Sequence, residues 1–448
     1  MEGLEVEEIQ FQNVLNNPNL RLEAEFFIKK TNLFESSIGA EIIDFVQYGT
    51  SEELNEDKRG YPILRLNEFD GSFLGIPAKY SEKISLDTYR SLEIKKGDVL
   101  ICRTNGNLKY VGKAAIAMQD YSFAFASYLF RIRPNKFINP ETLTVFLNSK
   151  SGRREIEKYA MKGNQSNFSP AKFREIKIPH FSTVLQDEIE ALVSSSFEKL
   201  QKSKEAYQTA QNLLLEHLGL KDFNPPVQAV NIKSFADSFG TSGRLDAEFY
   251  QEKYESYLKK IQAFNNGFVQ IQQEYSQVKS KSKFDLPAYQ YIEIGDVNVS
   301  DGSYSFNEVA TEDLPANAKI MVKEGDILIS TVRPNRGAIT VIEHDRDDLI
   351  VSGAFTILRR KVKSYFNNEF LKVLLRTEIY KDWLLQFNVG TSYPVIKDED
   401  ILNLVIPNVE EAIQTQIADL VRQSDRLRQE SQALLEEANR KVEQAIEG

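Results

Sequence analysis

One short stretch of sequence occurs twice in this chain and decides its fold. Lys95-Lys96-Gly97-Asp98-Val99-Leu100-Ile101 returns 228 residues later as Lys323-Glu324-Gly325-Asp326-Ile327-Leu328-Ile329. A Gly-Asp pair followed by a short apolar run is typical of a turn that leads into a buried strand. The two stretches therefore predict a turn and a core strand at equivalent places in two halves of the chain.

Four further segments recur in the same order and extend the repeat over the whole chain. They are Arg21-Leu22-Glu23-Ala24-Glu25-Phe26-Phe27 with Arg244-Leu245-Asp246-Ala247-Glu248-Phe249-Tyr250, Leu64-Arg65-Leu66-Asn67-Glu68-Phe69 with Ile292-Glu293-Ile294-Gly295-Asp296-Val297, Ile176-Lys177-Ile178-Pro179 with Leu404-Val405-Ile406-Pro407, and Gln186, Ile189 and Val193 with Gln414, Ile417 and Val421. The offsets are 223 or 228 residues. They indicate a tandem duplication of about half the chain.

Each half follows one plan of predicted elements. A short helical lead comes first, then strands, a helix, a polar loop, an Ile-Pro strand end and a long closing helix. Asn139-Pro140 supplies an N-cap and a first-turn proline for the helix of the first half, and the counterpart begins near Asn368. Further strands are predicted at residues 126–132 and 354–358, and the closing helices at about 185–218 and 411–447.

The two closing helices share a heptad pattern whose core positions are small or apolar. The small residues allow a partner helix to approach closely. The predicted interface residues are Val193, Leu200, Tyr207, Leu214, Val421, Leu435, Ala438 and Val442. We expect an antiparallel pair; the alternative is two amphipathic helices that each pack on their own domain.

These patterns predict an α+β fold with two tandem globular mixed α/β domains. The domains are separated by the two long helices, which pair as an antiparallel coiled coil with a pseudo-twofold internal repeat. The predicted segments are a first domain at 1–184 with its helical lead at 1–40, a first helix at 185–220, a second domain at 221–410 and a second helix at 411–448.

Composition limits the class of protein. The chain has 448 residues, a net charge of −10, a single cysteine and three histidines. No apolar run is long enough for a membrane span, and the acidic start differs from a leader peptide, so we expect a cytoplasmic location. One cysteine permits no intrachain disulfide, and these few scattered ligands predict no metal site.

Motifs that suggest catalysis are weak. Asn224-Pro225-Pro226-Val227 resembles the motif of DNA amino-methyltransferases, but Val227 cannot stack on a flipped base and no glycine-rich cofactor loop precedes it. Gly240-Thr241-Ser242-Gly243 is too short for a phosphate loop. Asp87 with Glu93-Ile94-Lys95 has the composition of a nuclease cluster but no copy in the second half. We therefore predict a binding protein without catalytic residues or a cofactor.

What the duplication does repeat is a pair of polar loops. Arginine can read guanine, asparagine and glutamine can read adenine, and lysine, serine and threonine suit phosphates. The same polar residues also simply form turns. The predicted DNA contacts are Arg103, Thr104, Asn105, Asn107, Lys109, Lys113, Lys162, Asn164, Gln165 and Asn167 in the first half, and Thr331, Arg333, Asn335, Arg336, Thr391, Ser392 and Tyr393 in the second.

Charge is unevenly distributed along the chain. Residues 89–178 hold 17 basic and 7 acidic side chains, whereas residues 1–57 hold 3 and 13. Residues 319–405 are nearly balanced, and residues 410–447 hold 5 basic against 9 acidic. The overall −10 therefore conceals a basic segment with the charge expected of a polyanion site.

The ordered repeats resemble the DNA-specificity subunit of type I restriction–modification systems. The residues that carry the resemblance are the Arg-Leu-Asp-Ala-Glu-Phe-Tyr motif at 244–250, both Lys-x-Gly-Asp stretches, the Gly-Asp-Val…Asp-Gly stretch at 295–302 and the two Ile-Pro ends. The resemblance implies that each domain reads half of a bipartite, asymmetric DNA site and that the helices set the spacer. It further implies partners: two adenine methyltransferase subunits that use S-adenosylmethionine, and motor–nuclease subunits.

Three other functions remain open from the residues alone. The first is a two-headed DNA-binding adaptor of another defence or repair system, which would lack methyltransferase partners; co-purification with a methyltransferase distinguishes it from a specificity subunit. The second is an orphan DNA methyltransferase or nuclease that uses Asn224-Pro225-Pro226, and cofactor binding by the isolated chain tests it. The third is a coiled-coil scaffold with no DNA role, which a salt-dependent DNA-binding assay tests.

Overall fold

The computed structural model describes residues 10–12, 35–160, 166–226, 228, 230–279, 284–390 and 392–447. The chain divides into two compact units: unit 1 is Met1–Leu200 with Arg428–Gly448, and unit 2 is Gln201–Leu427. Both divisions fall inside a long helix, so each unit includes part of both helices rather than ending before them. The predicted lead at 1–40 lies largely outside the described residues, and Ser36–Ile38 within it is a strand.

Unit 1 combines short strands with helices. Its strands are β1 (Ser36–Ile38), β2 (Ile43–Tyr48), β3 (Tyr61–Leu64), β4 (Phe69–Asp70), β5 (Phe73–Leu74), β6 (Lys79–Ser81), β7 (Val99–Cys102), β8 (Thr104–Asn105), β9 (Ala114–Ile116), β10 (Ala124–Phe125), β11 (Leu129–Pro134), β12 (Ser166–Asn167) and β13 (Lys177–Pro179). Its helices are α1 (Leu86–Leu92), α2 (Pro140–Asn148), α3 (Lys150–Tyr159), α4 (Pro170–Phe173) and the first part of α5 (Thr183–His217). Short 3-10 turns lie at Gly39–Glu41, Leu66–Glu68 and Leu108–Tyr110.

The sheets of unit 1 are built around β7. A six-stranded sheet has the order β2-β11-β7-β9-β5-β4, and a three-stranded sheet has the order β10-β3-β6. The strands β1 and β13 pair antiparallel, as do β8 and β12. The pairing with β13 explains why the end of the predicted helical lead is extended: its backbone groups bond to the Ile-Pro strand.

Unit 2 repeats this plan with fewer strands. Its strands are β14 (Phe268–Gln270), β15 (Tyr275–Gln277), β16 (Ala288–Ile292), β17 (Asn307–Ala310), β18 (Ala318–Met321), β19 (Ile327–Ser330), β20 (Ile339–Val341), β21 (Leu349–Ser352), β22 (Phe355–Arg360) and β23 (Val405–Pro407). Its helices are the rest of α5, α6 (Phe239–Ser242), α7 (Glu252–Gln262), α8 (Ile271–Glu274), α9 (Asn368–Leu375), α10 (Glu378–Leu384), α11 (Asp398–Asn403) and the first part of α12 (Glu411–Glu447), with 3-10 turns at Ala247–Tyr250, Ile294–Asp296, Thr311–Asp313, Pro334–Arg336 and Leu385–Phe387. The sheet orders are β15-β22-β19-β20, β17-β16-β21-β18 and β14-β23. This mixture of sheets and helices confirms the predicted α+β class.

The two Gly-Asp turns have the predicted form. Gly97 and Gly325 both have φ of +84°, a conformation that side-chain-bearing residues rarely adopt. The Asp98 carboxylate accepts the Lys95 amide at 2.9 Å, and Asp326 accepts the Lys323 amide at 2.9 Å. The strands that follow, β7 and β19, are buried throughout. The predicted turn and core strand are confirmed in both units.

A repeated glutamine ties the long helices to the caps of α2 and α9. The side-chain oxygen of Gln186 accepts the backbone amide of the cap residue Asn139 at 2.8 Å, and the side-chain oxygen of Gln414 accepts the backbone amide of Asn367 at 2.7 Å. The Asn139 side chain in turn accepts the Thr142 amide at 2.8 Å. The predicted cap at Asn139-Pro140 is therefore confirmed. In the second half the helix begins at Asn368, as predicted, and Asn367 is its cap.

The long helices pair antiparallel within unit 1. The Ser196 hydroxyl lies 2.8 Å from the Ser431 hydroxyl, and Lys441 binds Glu188 at 2.9 Å. Because small serines meet at the contact, the helices can approach closely enough for these bonds. Of the predicted interface residues, Val193, Leu200, Ala438 and Val442 are buried in the core of unit 1, and Leu435 packs against that core half-buried.

Unit 2 repeats this contact. Ser203 and Ser424 lie 3.0 Å apart, and the offset of 228 residues converts the pair Ser196–Ser431 into Ser424–Ser203. The remaining predicted interface residues, Tyr207, Leu214 and Val421, are buried in the core of unit 2. The antiparallel pairing and the internal repeat are thus confirmed within each unit. In the described part of the chain, every helix is either too short or too polar to cross a membrane.

Candidate nucleic-acid interface

Two loops predicted to contact DNA lie side by side in unit 1. Strand β8 pairs antiparallel with β12, and Asn167 lies opposite Thr104. The Asn167 side-chain amide donates to the Thr104 hydroxyl at 3.1 Å, and the Phe168 amide donates to the Arg103 carbonyl at 2.8 Å. Residues 60 or more apart in sequence therefore form one polar surface, which their sequence positions alone did not predict.

An arginine lies over a tyrosine ring at this surface. The Arg103 guanidinium carbon is 5.3 Å from the centre of the Tyr48 ring, and 47% of Tyr48 is exposed. Cation–π contact of this kind orients a guanidinium without neutralising its charge. The Arg103 amide donates to the carbonyl of Tyr128, another exposed tyrosine. Neither tyrosine was predicted as a site residue, because no local sequence pattern links it to Arg103.

The other predicted contacts of unit 1 differ in their surroundings. Asn107 and Lys109 are exposed, but the side-chain oxygens of Asn105 and Asn107 accept the amides of Asn107 and Lys109 at 2.8 and 2.9 Å. These asparagines therefore also shape the turn. Lys113 is half-buried, and burial lowers the pKa of its amine, so it is less suited to a phosphate than Lys109.

The same pairing of loops occurs in unit 2. Val332 bridges antiparallel to Val395, the positions that correspond to Thr104 and Asn167 at the 228-residue offset. The Ile396 amide donates to the Thr331 carbonyl at 3.0 Å, which repeats the Phe168–Arg103 bond. Backbone pairing between the two loops is therefore common to both units, whereas the side chains on it differ.

Arg333 is the most constrained residue of this surface. Its backbone is left-handed, with φ of +49° and ψ of +52°, and its amide donates to the Pro394 carbonyl at 2.7 Å. Its guanidinium carbon lies 5.4 Å from the centre of the Tyr393 ring, of which 47% is exposed. A left-handed conformation costs an arginine roughly 1–3 kcal/mol, and such strain concentrates at functional sites.

A cleft adjoins Arg333. Its volume is about 560 Å³, and its lining includes Arg333, Arg336 and Tyr393 on one side and Asn298 and Val299 on another. Arg376 holds both sides together, because its guanidinium donates to the carbonyls of Gly337 and, at 3.1 Å, Val299. Residues 298–299 lie in the Gly-Asp-Val…Asp-Gly stretch at 295–302, but neither they nor Arg376 were predicted to line a site, because neither belongs to the repeated polar loops.

The remaining predicted contacts of unit 2 divide into exposed and half-buried groups. Asn335, Arg336 and Ser392 are exposed. Thr331 is half-buried, and its hydroxyl donates to the Ala354 carbonyl at 2.8 Å. Lys162, Asn164, Gln165 and Thr391 lie outside the described residues, as does the first copy of the Arg-Leu-Glu-Ala-Glu motif at 21–27.

The residues considered for catalysis are scattered. In the described part of the chain, no group of three or more His, Cys, Asp and Glu side chains could hold a metal ion. Asn224 and Pro226 are exposed in a loop, and Val227 lies outside the described residues. Cys102 is fully buried at the end of β7, and burial raises the pKa of its thiol to about 11. A thiol this basic is a poor nucleophile at neutral pH.

Comparison with known proteins assigns a family to the first half. Residues 41–204, which include the Arg103 surface, match the family described as type I restriction modification DNA specificity domain. The family predicted from the repeated motifs is therefore confirmed for these residues, which are 164 of the 448 in the chain.

Specificity subunits of other organisms are similar to part of this chain. The chain is 30% identical over 144 residues to the type I restriction enzyme StySPI specificity subunit of Salmonella potsdam, a match that covers 31% of this chain and 30% of that protein. It is 29% identical over 150 residues to the HindI specificity subunit of Haemophilus influenzae, covering 32% of each. The matches thus span about a third of these relatives' length.

A solved structure is similar over a longer range. The type I restriction–modification S subunit of M. genitalium is 13% identical, with a TM-score of 0.41, and the alignment covers 92% of this chain and 97% of that one.

Proposed function

We propose that the chain is the DNA-recognition subunit of a type I restriction–modification complex. Each unit reads one half of a bipartite, asymmetric site, and the chain itself contributes no catalytic residue. The observation that carries this proposal is the specificity domain at 41–204 in unit 1, together with the same pairing of two polar loops in unit 2. A repeated loop pair with different side chains suits two half-sites of different sequence.

The side chains at the two surfaces fit direct reading of bases. Arg103 and Arg333 each lie over an exposed tyrosine, which limits their conformations before DNA arrives. A guanidinium held in this way can donate to both acceptors of a guanine edge in the major groove. The basic balance of residues 89–178, 17 against 7, supplies attraction for phosphates in unit 1.

Partner subunits are part of the proposal. An adenine methyltransferase pair and motor–nuclease subunits would bind the chain, and an exposed apolar segment in unit 2 offers a place for a protein partner. Val230, Ile232, Phe235 and Leu245 are each at least 69% exposed. Large exposed apolar side chains on a folded unit are a feature of protein-binding surfaces.

Methylation mapping tests this function. The full chain is produced together with the methyltransferase subunits of its host, and methylated adenines are located by single-molecule sequencing. We expect one bipartite motif from the wild type, and Arg333→Ala should relax base preference in one half only. The absence of a bipartite motif would contradict the proposal, and equal weakening on all sequences would make Arg333 a phosphate contact instead.

A further inference from the structure

We propose that the repeated Arg-Leu-Asp-Ala-Glu-Phe-Tyr motif of unit 2 is a clamp for the reading loop, meaning its described residues 388–390 and 392–395, and that Arg244 is its positioning residue. The inference deepens the proposed function and rests on it. Arg244 does not line the cleft beside Arg333, so its effect on base reading would be transmitted through the loop.

Arg244 is itself firmly oriented. Its Nε and Nη2 atoms donate to the two carboxylate oxygens of Asp246 at 2.8 and 2.6 Å, and its guanidinium carbon lies 4.7 Å from the centre of the Phe249 ring. From this position Nη2 also donates to the Asn388 carbonyl at 2.8 Å. The last bond joins the motif to the first residue of the loop, 144 residues away.

A second set of contacts joins the motif to the same place. The Gln386 side-chain amide donates to the Phe249 carbonyl at 3.1 Å, and the Phe249 and Phe387 rings are 6.2 Å apart in an edge-on arrangement. The Tyr250 hydroxyl donates to the Arg244 carbonyl at 3.0 Å and closes the motif on itself. Three consecutive residues, Gln386 to Asn388, are thus held by one compact turn.

Asn388 passes this restraint into the loop. Its side-chain oxygen accepts the amides of Gly390 and Val395 at 2.8 and 3.0 Å, and the Val389 amide donates to the Val395 carbonyl at 2.8 Å. The closed loop carries Tyr393, over which the Arg333 guanidinium lies. A shift of Asn388 would therefore move the ring that orients the base-reading arginine.

The chain offers a closely matched control for Arg244. Arg346 forms the same bidentate pair with an aspartate two residues later, Asp348, at 2.7 and 2.7 Å. Its guanidinium carbon also lies over a phenylalanine, 5.4 Å from the centre of the Phe306 ring. Within the described part of the chain, Arg346 differs from Arg244 in that it bonds to no reading loop, so Arg346→Ala removes the same local interactions without touching the proposed clamp.

The experiment compares Arg244→Ala with Arg346→Ala in the full chain, produced with its methyltransferase partners and mapped by methylation. We expect Arg244→Ala to lower base discrimination about tenfold in the half-site that Arg333→Ala identifies, the low end of what one base-reading contact provides. Base discrimination in the other half-site should be that of the wild type, and the Arg346→Ala variant should methylate the same DNA motif as the wild type. Equal motifs for the two variants, or equal losses in both half-sites, would overturn the proposal.

Two further measurements separate a clamp from simple loss of stability. Trp383 is the single tryptophan of the chain and lies in unit 2, so its fluorescence follows the unfolding of that unit. We expect the two variants to unfold at similar urea concentrations. If Arg244→Ala does not fold, Gln386→Leu is used instead, because it removes the second contact between the motif and the loop. Unchanged base discrimination in the same half-site would then contradict the proposal. A wild type without any bipartite motif would refute the proposed function itself.

Discussion

The same arginine–aspartate pair is buried in unit 1 and half-exposed in unit 2. Arg131 binds Asp98 at 2.9 Å and is 2% exposed, whereas its counterpart Arg359 binds Asp326 at 2.7 and 2.8 Å and is 42% exposed. In unit 1 the guanidinium also donates to the carbonyls of Glu93 and Ser91 at 2.6 and 2.9 Å. The duplication thus kept the pair that anchors the Gly-Asp turn and changed what surrounds it.

At a second pair of equivalent positions, unit 1 has apolar side chains and unit 2 has charged ones. Phe73 and Phe197 pack 5.3 Å apart in unit 1, and the residues 228 positions later are Asp301 and Asp425. Unit 2 instead buries Lys372, whose amine binds Glu369 at 2.5 Å and lies 3.8 Å from Asp425. One backbone plan therefore tolerates apolar or ionic contents, provided that each buried charge has a partner.

Replacing Lys372 by methionine should have the largest effect. The carboxylates of Glu369 and Asp425 would remain in a buried site without their cation, which costs about 3–5 kcal/mol of the unfolding free energy. Urea unfolding followed by Trp383 fluorescence measures this in unit 2. Lys381→Met is the control, since Lys381 pairs with Glu378, which is 91% exposed, and should change stability by less than about 1 kcal/mol. Equal effects of the two substitutions would contradict this account of the ionic core.

The pH dependence of the unfolding free energy of unit 2 should show how much burial of the charged Asp425 carboxylate destabilises the unit. Burial raises the pKa of this carboxyl to about 6, although Lys372 opposes the rise. The unfolded value is about 3.9, so the folded state holds the proton more tightly and loses stability as the pH rises from about 4 to 6. The Asp425→Asn side chain does not titrate. The unfolding free energy of this variant, relative to that of the wild type, should therefore rise by up to about 3 kcal/mol between about pH 4 and 6. Urea unfolding at several pH values tests this; a difference independent of pH would refute it.

The anchoring arginines should differ in their contribution to stability. Arg131→Met removes buried hydrogen bonds to Asp98 and to two carbonyls, and we expect it to lower the unfolding free energy by about 2 kcal/mol. In Arg359→Met, water can take over much of the hydrogen bonding of the more exposed arginine, so the loss should be about 1 kcal/mol. The hydrogen-exchange rates of the backbone amides in β7 and β19 measure how much each variant destabilises the strand next to the replaced arginine. Faster exchange in β19 than in β7 would show that exposure does not decide the value of this pair.

The smallest effect should be shared by both units. Gln186→Ala and Gln414→Ala each remove the bond to a helix-cap amide, and each should cost about 1 kcal/mol. Hydrogen exchange of the first turns of α2 and α9 follows the caps directly. We expect the two substitutions to cost the same unfolding free energy. A clear difference between them would mean that this contact has also diverged between the two units.

Local signals made much of the fold predictable. Gly97 and Gly325 mark turns because a positive φ suits glycine, and Asn139-Pro140 marks a helix start because the asparagine caps it and proline fits its first turn. The serines at heptad core positions predicted the close antiparallel helices. The ends of β11 were less accurate, since Ala126 was assigned to a strand that begins at Leu129. Strand ends depend on pairing partners as well as on composition.

The candidate site was predictable as loops but not as a surface. Arg103 and Arg333 were singled out from repeated polar segments, and their role in DNA binding stays a prediction. Tyr48 was missed because 55 residues separate it from Arg103, and no local pattern links them. The left-handed backbone of Arg333 was equally unpredictable, since it depends on a bond to Pro394 in another loop.

The sequence by itself determined the repeat, its turns, its helix caps and the periodicity of its long helices, because each depends on neighbouring residues or regular spacing. Tertiary structure decided which side chains meet: Arg131 with Asp98, Lys372 with Asp425, and the motif at Arg244 with the loop at Asn388. Such contacts join residues far apart in sequence, and their strength depends on the burial that packing creates. The two halves therefore share one plan and differ where long-range contacts fill it.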